Sequence, residues 1–128
     1  MIYLFVLGRI LLGGYFIKNA LNHFKNVGAL SGYAQSKGVP MAKWSVLLTG
    51  LMLFLGGLGI LLGVYIQYAV LLLAIFLIVT TFMMHKYWTV SEPMTKMGEE
   101  INFYKNLALL GAVLTLLAIP EPWVAALF

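Results

Sequence analysis

The feature that most constrains this chain is a long stretch without charge: no Asp, Glu, Lys or Arg lies between Lys43 and Lys86. Over the whole chain 62% of the residues are hydrophobic and only 9% are charged. In soluble domains about a quarter of the residues are charged. A soluble fold of this length could not bury so much apolar surface. The sequence therefore predicts an integral membrane protein.

Four segments are apolar and long enough to cross a bilayer, which takes about 20 residues in a helix. They cover, approximately, residues 2–21, 44–63, 64–84 and 103–119. Almost nothing but Gly63 separates the second segment from the third, so these two are expected to form a tight antiparallel hairpin. The other two connections, residues 23–43 and 85–102, are long. We predict an all-α, four-helix membrane bundle that forms one domain over residues 1–128.

Two features indicate where the chain meets the membrane surface. In the first long connection Val27, Leu30 and Ala34 repeat at helical spacing, and residues 37–40 (Lys-Gly-Val-Pro) are typical of a helix end. A short helix lying on the bilayer is expected there. Aromatic residues form the expected interfacial belts, with Trp44, Tyr87, Trp88 and Tyr104 at one level and Tyr3, Tyr65 and Trp123 at the other.

The distribution of basic residues predicts the orientation. With four spans, the two long connections lie on one side of the membrane, and the termini and the hairpin lie on the other. Every lysine belongs to or borders a long connection: Lys18, Lys25, Lys37, Lys43, Lys86, Lys96 and Lys105. Positive residues favour the cytoplasmic side, so we expect cytoplasmic connections and extracytoplasmic termini in a plasma or inner membrane. The scattered lysines form no stripe for nucleic acid, and anionic lipid is the expected partner.

Polar side chains from three spans are expected at one depth, near the cytoplasmic ends. They are Asn22 and His23 after the first span, His85 and Trp88 after the third, and Asn102, Lys105 and Asn106 at the start of the fourth. One face of the third span is expected to carry Gln67, Ala74, Ile78, Thr81, His85 and Trp88. Convergence from several helices is what a binding pocket needs. The alternative is that these groups cap helix ends or contact water.

Arg9 is a cation about a third of the way into the first predicted span. A charge there costs about 2.5–3.5 kcal/mol on insertion scales, so it needs a specific role. On a helical wheel it shares a stripe with Gly13, Phe16, Ala20 and His23. One interpretation is a buried cation that holds an anion or polarises a carbonyl. The other is that its guanidinium reaches the headgroups or pairs with Glu121.

The sequence does not favour a metal site. His23 and His85 at one level of a bundle suggest haem or zinc, but both lie at the membrane edge and the chain has no Cys. The acidic candidates Glu92, Glu99 and Glu100 are expected in a loop without ligand spacing. Glycines 56, 57 and 59 lie in the middle of a span, where they are expected to let helices pack closely.

The chain resembles the DoxX family of small four-helix membrane proteins. The likeness rests on residues 8–13 with Phe16, His23-Phe24, residues 37–40, Thr81-Phe82 with His85 and Trp88, and residues 102–111. It implies a membrane bundle associated with redox metabolism, and related proteins look like the membrane subunit of a thiosulfate:quinone oxidoreductase. Whether this chain is an enzyme is left open.

Two functions stay open at this point. In one, the chain is an accessory or anchor subunit for a soluble or membrane partner or for a second copy of itself. In the other, it binds a quinone near His85, Lys105 and Asn106 with Trp88 stacked on the ring. The resemblance implies no cofactor other than this quinone.

Overall fold

The computed structural model describes residues 1–126, in which the regular structure is helical. The α-helices are α1 (Ile2–Lys25), α2 (Val27–Ser36), α3 (Ala42–Leu62), α4 (Ile66–Met84) and α5 (Pro93–Thr115), with 3₁₀ turns at Tyr87–Thr89 and Leu116–Ala118. All the α-helices except α2 are long and apolar enough to span a membrane. Many large apolar side chains are exposed on them, such as Leu11 and Leu48, so the exterior suits contact with lipid. The predicted four-helix membrane bundle is confirmed.

The predicted connections on both sides of α3 are also confirmed. Gly63 ends α3 in the left-handed region at φ 76°, which glycine adopts without strain. Its N–H donates to the carbonyl of Gly59 at 2.8 Å, and α4 begins at Ile66. In the first long connection, α2 ends at Ser36 and is followed by Gly38 at φ 83°.

Glycine contacts hold α3 close to both of its neighbours. A Cβ on Gly13 of α1 would lie 2.7 Å from the carbonyl oxygen of Gly57, and a Cβ on Gly57 would lie 2.8 Å from that of Gly13. On the α4 side, a Cβ on Gly59 would lie 2.8 Å from the Cβ of Ala69. The mid-span glycines therefore allow close helix packing, as the sequence predicts.

The helices pack against one another mainly in the order α1, α3, α4 and α5. Backbones approach closely between α1 and α3, α3 and α4, and α4 and α5, while α2 lies mainly against α3. Among the described residues, the backbones of α1 and α5 do not approach each other as closely as the backbones of these pairs do.

Helix α5 begins at Pro93, well before the predicted start near Phe103. The carboxylate of Glu92 accepts hydrogen bonds from the backbone N–H groups of Met94 at 3.2 Å and Thr95 at 2.6 Å, and Pro93 occupies the first turn. Both features are favourable at a helix start. The expectation that Glu99 lies in a loop was wrong, because Glu99 is in the second turn of a helix.

The predicted polar-flecked face of α4 ends with the helix at Met84, before His85 and Trp88, and lies beside the buried face. The buried residues of α4 are Ile66, Ala69, Val70, Leu73, Leu77 and Thr81. Gln67 and Ile78 are exposed. Apolar residues occupy every face of this helix, so a few polar residues do not mark the side that packs against protein.

Candidate functional site

A cavity of about 550 Å³ lies among α1, α3, α4 and α5, and Leu30, Tyr33 and Ala34 of α2 form part of its wall. Most of its lining is apolar, including Phe16, Leu53, Phe76 and Leu109. The lining also contains Asn22, His23, His85, Lys105 and Asn106. The structure therefore brings together these five of the residues singled out in the sequence.

Asn106 is the most unusual polar group in this lining. Its side chain is only 6% exposed, and its amide has no hydrogen-bond partner among residues 1–126. Asn106 lies on the buried face of α5, with Glu99, Phe103 and Val113. The amide is not fully enclosed by protein and is accessible from the cavity. A molecule in the cavity, water included, can therefore supply its hydrogen bonds.

His23 lines the cavity from α1 and is held by α3. Its Nδ1 lies 3.0 Å from the carbonyl oxygen of Val46 and 3.2 Å from the hydroxyl oxygen of Thr49. A carbonyl can only accept, so Nδ1 carries the proton. The ring also packs edge-on against Phe76, with centroids 5.9 Å apart. These contacts fix both the tautomer and the orientation of the imidazole.

Glu99 joins three parts of the chain beside the cavity. Its Oε1 accepts a hydrogen bond from the hydroxyl of Tyr33 at 2.7 Å. Its Oε2 lies 3.3 Å from Nδ1 of His85 and 3.5 Å from Nζ of Lys37. Burial and the hydrogen bond to Glu99 raise the pKa of Tyr33 above its usual range, so the phenol stays protonated and donates. The Glu99 network, Glu99 with Tyr33, Lys37 and His85, ties α2 to α5 and to the end of α4.

The sequence analysis missed Glu99, Tyr33 and Lys37 as parts of this site. A signal for Glu99 was present, because Glu99, Phe103 and Asn106 follow the spacing of one helical face. It was hidden by the assignment of residues 85–102 to a loop. For Tyr33 and Lys37 there was no comparable signal, since their contact with Glu99 depends on how α2 folds back.

Two of the predicted pocket residues do not line the cavity. Trp88 is half exposed and packs edge-on against Tyr87 and Phe103, with centroids 5.3 and 5.6 Å apart. Tyr104 joins this cluster through Tyr87, as expected for an interfacial belt. Asn102 accepts a hydrogen bond from Nζ of Lys105 at 3.5 Å. Trp88 therefore belongs to the surface aromatic cluster and does not reach a ligand in this cavity.

Arg9 lies at the other end of the bundle and is 4% exposed. Its guanidinium donates to four carbonyl oxygens: Ile60 at 3.3 Å, Leu61 at 3.0 Å, Val124 at 2.5 Å and Ala125 at 3.2 Å. Among the described contacts its partners are these carbonyls and not Glu121. The end of α3 and the C-terminal segment are thus held by one cation.

Trp123, expected in the outer aromatic belt, is instead 3% exposed. It packs on Phe5, with ring centroids 5.2 Å apart, and its ring centroid lies 5.8 Å from the guanidinium carbon of Arg9. Trp123 therefore helps to bury Arg9. The exposed Tyr3 and Tyr65 remain available for the membrane surface at this end.

A family model described as DoxX matches residues 4–86. The chain belongs to the DoxX family. The match covers α1 to α4 and therefore includes His23 and His85, while Lys105 and Asn106 lie beyond it. The comparisons with curated proteins and with solved structures gave no match.

Proposed function

We propose that this DoxX-family protein is an accessory membrane subunit that binds the headgroup of a quinone in the cavity described above. The observation that carries the proposal is Asn106, a residue only 6% exposed that lines the cavity and whose amide is accessible there and has no hydrogen-bond partner in residues 1–126. A quinone head is a flat apolar ring with polar oxygens at opposite edges. It needs apolar walls and a few hydrogen-bonding groups.

The shape and lining of the cavity support this ligand class. Its volume of about 550 Å³ falls within the usual range for small-molecule sites, about 300–1,000 Å³. Phe16 and Phe76 provide aromatic walls, and the amide of Asn106 provides a hydrogen-bond donor.

We assign electron transfer to a partner protein. The chain has no Cys and so offers no thiolate for an iron–sulfur cluster or a dithiol. In this proposal the chain supplies the lipid-side binding site, and the partner supplies the redox group. The resemblance to the membrane subunit of a thiosulfate:quinone oxidoreductase is consistent with this division.

We further propose that the protein lies in the plasma or inner membrane with both termini outside the cytoplasm. The support is the placement of every lysine at or beside the connections that contain α2 and the start of α5. A reporter that is active only in the cytoplasm is expected to be silent when fused after residue 128. An active reporter would reverse the orientation and place the Glu99 network outside.

A role as an anchor is the second candidate, and the start of α5 favours it. Residues 91–98 are all exposed, although most of them are helical. Such a polar extension offers a surface for a soluble partner. An anchor without a quinone site would keep its partner and show no enrichment of quinone.

The proposal is tested by the lipids that purify with the protein. Wild type and the variants Asn106→Leu and Asn102→Leu are extracted directly into nanodiscs, and quinone per protein is measured by mass spectrometry. Asn102 is the matched control, because it is on the same helix and does not line the cavity. We expect enrichment in wild type and Asn102→Leu and its loss in Asn106→Leu. The same quinone content in all three, at the level of the bulk lipid, would contradict the proposal.

A further inference from the structure

The hydrogen bonds of His23 determine which chemical group can face it in the cavity. The Nδ1–H donates to the carbonyl of Val46, 3.0 Å away. The hydroxyl of Thr49, which donates to the carbonyl of Ser45 at 2.7 Å, is a second acceptor for this proton, 3.2 Å from Nδ1. Both neighbours on α3 therefore favour a proton on Nδ1. In a neutral imidazole the other nitrogen, Nε2, is then an acceptor only.

Nε2 has no hydrogen-bond partner among residues 1–126, and it is not fully enclosed by protein. His23 is also part of the cavity lining. The ring cannot easily turn over to present a donor, because that would break the bond to Val46. The cavity thus contains a fixed acceptor at His23.

We infer that this cavity selects ligands that place a hydroxyl group toward His23, and that it therefore prefers the reduced, quinol form of a quinone to the oxidised form. The inference rests on the proposed function. A quinol hydroxyl can donate a hydrogen bond to Nε2. A quinone carbonyl is itself an acceptor, so its oxygen and Nε2 would repel each other. Specificity of this kind comes from the penalty on the wrong ligand as much as from the bond to the right one.

Asn106 does not discriminate in the same way. Its amide carries both a donor and an acceptor, and it can therefore bind either a carbonyl or a hydroxyl at another edge of the ring. Lys105 can only donate and is exposed. Of these three lining groups, His23 is the one that fixes the preference for a donor.

The test uses a matched pair of redox-inactive probes: a phenol with a short alkyl chain and its methyl ether. The phenol can donate a hydrogen bond, and the ether cannot. Binding of each probe to the full chain in nanodiscs is measured at pH 8. The variant His23→Phe keeps the ring that packs on Phe76 and removes the acceptor. Wild type is expected to bind the phenol about tenfold more tightly, the ratio given by one ordinary hydrogen bond.

In His23→Phe this preference is expected to disappear while the ether binds as before. Equal binding of the two probes to wild type, or a preference that survives in His23→Phe, would overturn the inference and leave the quinone site standing. If neither probe binds, and a short-chain quinone and its quinol do not bind either, the proposed function is overturned as well. If His23→Phe does not fold, ¹⁵N NMR of wild-type His23 decides the tautomer, and a proton on Nε2 would refute the inference.

Discussion

Replacing Arg9 tests how the end of the bundle opposite the cavity is held together. The last carbonyls of a helix have no partner within the helix. At the end of α3, the carbonyl of Gly59 accepts from Gly63 and Val64. Those of Ile60 and Leu61 accept from Arg9. We therefore expect Arg9→Met to leave two buried carbonyls unpaired and to release the C-terminal segment.

The size of the effect follows from these bonds. A hydrogen bond to a charged group contributes about 1.5–3 kcal/mol. The two bonds to α3 therefore predict a loss of about 3–6 kcal/mol in the free energy of unfolding. The bonds to Val124 and Ala125 add less to this loss, because water near the membrane surface can replace the guanidinium as the hydrogen-bond donor. Arg9→Lys is expected to lose about half as much of the free energy of unfolding. Its ammonium still donates hydrogen bonds, but it is a compact donor without the planar fork of arginine.

The assay is reversible unfolding in mixed micelles, with tryptophan fluorescence as the probe. Trp44 and Trp88 are replaced by Phe, so the signal comes from Trp123, which is buried beside Arg9. The matched control is Lys18→Met, an exposed cation on the same helix, which is expected to change little. A loss below about 1 kcal/mol for Arg9→Met, with the emission of Trp123 unchanged, would refute this account of Arg9.

Two further predictions concern the packing of α3 and of α2. Gly57→Ala is expected to lower the free energy of unfolding by about 1–3 kcal/mol, because the new Cβ would meet a backbone oxygen at 2.8 Å. The control is Gly14→Ala, because Gly14 has open space around it. Equal stabilities of the two variants would contradict the close contact of α1 and α3. Tyr33→Phe and Glu99→Gln are expected to raise amide hydrogen exchange in Val27–Ser36 by about 5–10-fold, the effect of losing one hydrogen bond. Unchanged exchange in both variants would mean that the Glu99 network does not hold α2.

The membrane bundle could be predicted because its signals are local. Hydropathy marks the spans, Gly63 marks the hairpin, and residues 37–40 mark the end of α2. The start of α5 was missed for the opposite reason. Its first turns lie in a polar segment that hydropathy assigns to a loop, and only the Glu92-Pro93 pair indicated a helix start.

The candidate site was predicted in part. His23 and His85 lie at helix ends and Asn106 lies inside α5, and their convergence on one cavity could be inferred from the predicted span lengths. The partners of Glu99 and Arg9 could not, because they lie far away in the chain: 66 residues separate Tyr33 from Glu99, and 116 separate Arg9 from Ala125. Sequence shows that a buried charge needs partners, and the tertiary structure determines which ones it finds.

The central claim is that the cavity binds a quinone head through Asn106. The measurement that tests it most directly is a titration of the full chain in nanodiscs with a short-chain quinone and its quinol. Wild type, Asn106→Leu and Lys105→Met are compared, and the thermal stability of each is measured beside its affinity. Lys105 is exposed and bonded to Asn102, so its loss is expected to matter little.

We predict saturable binding to wild type and a loss of about 1–3 kcal/mol of binding free energy in Asn106→Leu, the usual effect of removing a buried hydrogen-bond partner. The stability of this variant is expected to be unchanged or slightly higher, since Leu removes an unpaired amide from an apolar region. Unchanged affinity at unchanged stability, or no binding to wild type, would contradict the claim.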